Sequence, residues 1–182
     1  DLARKRMDTI QHLHDDGIWD MNHDLPFPVP ANRVAIISSA SAAGYGDFVN
    51  QLEGNPQGFV FYTHLFPAIM QGDNAAQSVI DALDQVYACS SLFDVVVIIR
   101  GGGATTDMLA FDDYELAASC AQFPLPIVTG IGHTRDESVL DMVAKAPVKT
   151  PTAVAEFLIG LMADEAAVLD DLGSRLTVAA SA

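Results

Sequence analysis

The stretch Asp94–Asp113, DVVVIIRGGGATTDMLAFDD, decides the fold. Val95 to Ile99 are apolar without alternation, as in a strand buried on both faces of a parallel sheet. The run ends in Arg100, then Gly101, Gly102 and Gly103, then an acidic loop carrying Asp107, Asp112 and Asp113. In open α/β sheets ligands bind outside the carboxyl ends of the strands. A permanently charged guanidinium there, beside backbone bare of side chains, suits an anion such as phosphate. Taken alone, RGGG also fits a tight turn with Arg100 in an ordinary ion pair.

Working outward, Val34–Ser38 reads as the first strand and Gly58–Leu65 as the second. Ile127–Ile131 reads as the fourth, after Val95–Ile99. Helical spacing covers Asp1–Asp16, a helix starting at Asp47–Leu52, Asp73–Ala88, Tyr114–Gln122 and Asp136–Ala144. APVKTP, with Pro147 and Pro151, reads as a loop. From Thr152 a long helix follows, with Val154, Phe157, Leu158, Leu161, Leu169, Leu172 and Leu176 three and four apart. Strand and helix alternate, which predicts a doubly wound, mainly parallel α/β sheet of about four strands with flanking helices. The predicted organisation is a helix and proline-rich lead-in (1–32), an α/β domain (33–150) and the start of a helical arm (151–182). Arg4, Lys5 and Arg6 read as the solvated face of the first helix.

The chain has 182 residues, half of them hydrophobic, and a formal net charge of −15. That balance argues against an extended basic groove, because phosphate binding draws on Lys and Arg. No run is long and apolar enough for a membrane span. Cys89 and Cys120 stand apart without a CxxC, which fits reduced thiols and a cytoplasmic setting. The start at Asp1 predicts a piece of a longer protein.

Candidate chemistry gathers in three loops after strands. The first holds Ser38, Ser39, Ser41 and Asp47, in a strand, small-residue turn, helix order that lets backbone amides hold an anion. The third holds Arg100 and Asp107. The fourth, PIVTGIGHTRD, holds His133 with Asp136 three residues on; a carboxylate beside His can fix its tautomer for acid–base work. Arg135 adds a cation. Asp47, Asp107 and Asp136, with Asp141, are the oxygen ligands on offer for Mg²⁺ or Mn²⁺. Acidic residues are common throughout, so their placement by chance competes with that reading. HExxH, Walker A and G-x-S-x-G are absent from the sequence.

In order, SSASAAGYGDF, AIMQGDNAA, DVVVIIRGGGATTDMLAFDD, PIVTGIGHTRDESVLDMVA and APVKTPTAVAE resemble the catalytic domain of the exodeoxyribonuclease VII large subunit. The resemblance covers nearly the whole chain. It implies exonucleolytic hydrolysis of single-stranded DNA to short oligonucleotides, with Asp47, Arg100, His133 and Asp136 as the catalytic set. Ser39, Ser41, Gly101, Gly102, Gly103 and Arg135 would meet phosphate. It implies a small-subunit partner carried on the helical arm, an OB-fold outside this stretch, and Mg²⁺ as a candidate rather than a fixed requirement. Ala42, Ala104, Thr105, Thr106 and Thr134 depart from the family's usual pattern. The competing reading is a non-catalytic α/β module that binds a nucleotide or sugar phosphate.

Overall fold

The computed structural model describes residues 1–101, 105–132 and 137–182, and of 105–107 the backbone alone. Five parallel strands form one sheet, in the order β2-β1-β3-β4-β5. They are β1 Arg33–Ser38, β2 Tyr62–Pro67, β3 Val95–Ile99, β4 Ile127–Gly130 and β5 Ala146–Pro147. The helices are α1 Leu2–Asp15, α2 Ala43–Glu53, α3 Ala75–Ala88, α4 Tyr114–Ala121, α5 Val139–Val143 and α6 Pro151–Ser181.

Every residue of β3 is fully buried, and successive side chains enter different cores. Val96 and Ile98, with Ala35, Ile37 and Ile127, pack under α3, α4 and α5. Val95, Val97 and Ile99, with Val34, Ile36 and Val128, pack under α2 and α6. The unbroken apolar run follows from this two-sided burial, since a strand side chain changes face at each residue. The first turns of α6 belong to the second core through Val154, Ala155, Leu158 and Ile159.

The chain steps from β1 to β2 on one side, then returns through α3 to β3 on the other. The topological switch point therefore lies between the carboxyl ends of β1 and β3, where such sheets open a crevice. At the opposite end, Asp94 receives the Arg33 backbone N–H at 2.9 Å and its Nη2 at 2.8 Å. That ion pair pins the amino ends of the two central strands and raises the Arg33 pKa.

Two sequence expectations are corrected here. The sheet has five strands, not about four, because Ala146–Pro147 pairs with Val128–Thr129 and Val148 N–H donates to Thr129 O at 2.7 Å. A two-residue strand, one of the two a proline, carries no readable periodicity. The second strand runs Tyr62–Pro67 rather than 58–65, at the sheet's edge with Tyr62, Thr63 and His64 exposed. The aromatic pair that drew the expectation forward, Phe59 and Phe61, packs against the α2/α6 core from the preceding loop.

The first helix docks on α4 through its acidic and aromatic end. His12 stacks on Tyr114 with centroids 4.0 Å apart, and the Tyr114 hydroxyl donates to the Asp16 carboxylate. That bond raises the phenol pKa to about 12. A raised pKa means the folded state holds its proton more tightly than the unfolded chain. The contact's stabilisation is present in full below about pH 10 and is lost as pH rises through about 12. Titration of tyrosinate absorbance is expected to show one of the four tyrosines ionising last, and Tyr114→Phe removes that late step. The opposite outcome is a Tyr114→Phe curve lacking a step near pH 10.

Candidate functional site

The carboxyl edge of the sheet is closed by two close approaches, one at Gly44 and Gly101 and one at Gly130. A Cβ on Gly44, in the first turn of α2, would lie 3.0 Å from the Gly101 Cα and 2.9 Å from Pro151 Cγ. A Cβ on Gly101 would lie 2.9 Å from the Gly44 Cα. A Cβ on Gly130, at the end of β4, would lie 2.6 Å from Val154 Cγ2 and 3.0 Å from the Thr150 carbonyl. Side chains at these positions would push the elements apart. Their absence lets Gly101 after β3, the start of α2 and the start of α6 converge.

Arg100 stands at the centre of this convergence. Its N–H donates to Gly130 O at 3.0 Å, which extends the β3–β4 ladder by one rung. Its side chain is only 4% exposed, and Nη1 lies 3.1 Å from Met108 Sδ. Met108 belongs to a 3-10 helix, Thr105–Asp112, formed by the stretch read from sequence as an acidic loop. Beside Arg100, Ser38 Oγ donates to Ile99 O at 2.9 Å and so ties the ends of β1 and β3 across the switch point.

The start of α2 supplies partial positive charge. Its N-cap, Ala42, offers no capping side chain. First-turn amides of a helix lack partners within it, and the macrodipole adds to their pull on an anion. Helix α6 begins beside the same spot, with Pro151 against Gly44 and Thr150 Oγ accepting from Ala153 N–H at 3.2 Å. Asp47 is exposed one turn after Gly44. Ser39 and Ser41 lie in the turn before α2, their hydroxyl oxygens 3.2 Å apart.

The fourth loop is framed from both sides. Gly132 has φ +71°, a left-handed conformation that suits glycine, and a Cβ there would lie 3.8 Å from both the Arg100 and Lys149 carbonyls. On the far side Ser138 caps α5. Asp141 Oδ2 accepts from Ser138 Oγ at 2.9 Å and Ser138 N–H at 3.1 Å, and Oδ1 accepts from Thr129 Oγ1 at 2.6 Å. One buried carboxylate thus holds β4 to the start of α5, with 133–136 between them. Asp112 accepts from Val139 N–H at 2.9 Å, and the Arg6 guanidinium donates to Glu137 O. Burial raises the Asp112 pKa against the opposing pull of that amide and of Arg6. Arg6 is therefore engaged with the loop rather than merely solvated.

His133, Arg135, Asp136, Gly102 and Gly103 lie outside the described residues, as does the Asp107 side chain. Among the described residues no three His, Cys, Asp or Glu side chains come together as a metal cluster. Asp141, named with the metal candidates, accepts from Thr129 and Ser138 among the described residues. Cys120 is fully buried, which pushes its thiol far up and leaves it inert. Sequence reasoning did not single out Gly44, Gly130, Asp141 as a clamp, or Lys149. The first two would need knowledge of tertiary neighbours, but the capping pattern at Ser138 and Asp141 was readable.

A family described as "Exonuclease VII, large subunit" matches residues 18–182. Among similar proteins, the exodeoxyribonuclease 7 large subunit of Lactobacillus helveticus is 35% identical over 90% of this chain and 36% of its own length. That of Deinococcus radiodurans is 36% identical over 91% of this chain and 40% of its own length. That of a Cyanothece species is 35% identical, over 90% and 38% respectively. The chain thus spans little more than a third of the length of these curated relatives. With a doubly wound parallel sheet that brings Arg100 and Gly101 to its switch point, and a match across nearly all of its length, the chain belongs to the exonuclease VII large-subunit family.

Proposed function

We propose that the carboxyl edge of this sheet hydrolyses phosphodiester bonds of single-stranded DNA, releasing short oligonucleotides, within a two-subunit nuclease. The observation that carries the reading is the close approach of Gly44 to Gly101, the residue after Arg100, with Gly132 beside the Arg100 carbonyl. It leaves backbone bare of side chains next to a nearly buried guanidinium, and membership of a family whose relatives are named exodeoxyribonucleases supports a DNA backbone as the substrate. Arg100 and the amides of the glycine loop would hold the scissile phosphate and stabilise the charge added as water attacks phosphorus. His133 would take the proton from that water or give one to the departing deoxyribose oxygen as the P–O bond breaks. Asp136 or Asp47 would orient the histidine. A divalent cation, where used, would polarise the phosphate or activate the water. Among the described residues, no helix is long and apolar enough to cross a membrane; a cytoplasmic setting fits the two free thiols.

The test uses the full-length large subunit assembled with its small subunit and end-labelled single strands, with duplex of the same sequence beside them. Acid-soluble label from the single strand, with little from the duplex, is the expected result. Tight binding of the strand without release of label returns the chain to the competing class, a non-catalytic phosphate-binding module.

A further inference from the structure

We infer that Lys149 is a substrate-binding residue that holds a backbone phosphate of the strand next to the one held at Arg100. The inference rests on the nuclease reading above. The chain carries nine cations against 24 acids, so where each cation sits is informative. Arg33 serves the opposite end of the sheet with Asp94. Lys145 donates to His23 O at 2.8 Å, Arg175 pairs with Asp171, and Arg6 holds Glu137. Arg4 and Lys5 ride the exposed side of α1. Lys149 alone among the remaining described cations joins Arg100 at the carboxyl edge.

Its place there is fixed by backbone. Val148 N–H donates to Thr129 O, so the chain passes the end of β4 as it leaves β5. Lys149 follows, and its carbonyl and that of Arg100 are both 3.8 Å from a Cβ placed on Gly132. The two cationic residues thus flank the same glycine, with His133 next in sequence. Thr150 then caps α6 and stops the chain from moving away. The Lys149 side chain is exposed and forms no ion pair with a described residue, although the surface is rich in carboxylates that could supply one. A flexible ammonium is suited to a phosphate whose position varies along a strand, where a guanidinium fork suits one held fixed.

The experiment compares Lys149→Ala and Lys149→Arg in the full-length large subunit with its small subunit, using a labelled oligothymidylate. Removing one phosphate contact makes the slope of log affinity against log salt shallower by about 0.7 for a single strand. Affinity at low salt falls roughly three- to tenfold, irrespective of base sequence, as expected for a backbone contact. KM rises by a similar factor while kcat stays put, and Lys149→Arg recovers both the slope and KM. A purely structural lysine would lower thermal stability and leave the slope unchanged. An unchanged slope in Lys149→Ala overturns the proposal. Unaltered enzyme that binds the strand without cutting it defeats the nuclease reading, while the slope still decides Lys149. Failure of the unaltered enzyme to bind the strand overturns both.

Discussion

Arg100→Lys is expected to lower kcat on single-stranded DNA by about 10²- to 10³-fold, with the protein still folded. The magnitude is that of losing one preorganised donor to a developing negative charge. Lysine keeps the charge but not the planar fork, so it cannot present two parallel N–H groups to a phosphate. The site is rigid enough for the difference to be felt. Arg100 is nearly buried, its N–H is fixed on Gly130 O, and its side chain lies against Met108 Sδ. Arg100→Met, of similar length and without charge, should lose at least as much rate and fold comparably. Single-turnover rates on labelled strand, with thermal melting as the fold control, decide the matter. Retention of most of the rate by either variant removes Arg100 from the chemistry.

Asp141→Ala is expected to destabilise the domain by about 3 kcal/mol or more. The carboxylate is 1% exposed and accepts three bonds, from Thr129 Oγ1, Ser138 Oγ and Ser138 N–H. Truncation strands those donors in the interior, at about 1–3 kcal/mol for each group left without a partner. For a chain of this size that corresponds to a fall in Tm of roughly 6–12 °C. Asp141→Asn keeps an acceptor and should cost clearly less. Urea unfolding measures both. The same variants should slow the folded enzyme, because the clamp sets both ends of the segment that carries His133. A misplacement of about 1 Å can cost 10²-fold in rate. Asp141→Ala with unaltered stability would show that the network carries no net energy.

The legible parts of the fold were those where one local signal sufficed. Val95–Ile99 stood out because both of its faces are covered. The Val34–Ser38 expectation falls one residue short of Arg33–Ser38, and the long helix was expected one residue after its start at Pro151. The misplaced second strand shows the limit of hydropathy: Phe59 and Phe61 are core residues of a loop, whereas the true strand is an edge with polar, exposed positions. The site divides along the same line. An arginine followed by glycines at a strand end is visible in the letters. That it would be nearly buried, and that its loop would rest on a glycine 57 positions earlier, follows only once α2 and α6 are packed on the sheet. Gly44 carries no signal of its own in the letters. Its use is steric: it admits Gly101.

The contact between Pro151 and Gly44 has a mechanical consequence. Helix α6 is a rod about 46 Å long at 1.5 Å per residue, rooted where the glycine loop meets α2. Beyond Ile159 its sides turn to solvent, and Val168, Leu169, Leu172 and Leu176 stand exposed along it. A load on the distal half would act through a long lever on a root so closely packed that it has no room for a Cβ on Gly44. Leaning the rod either compresses Gly101 or frees it. Whatever binds the exposed far half of α6 would therefore pull on the residues beside Arg100.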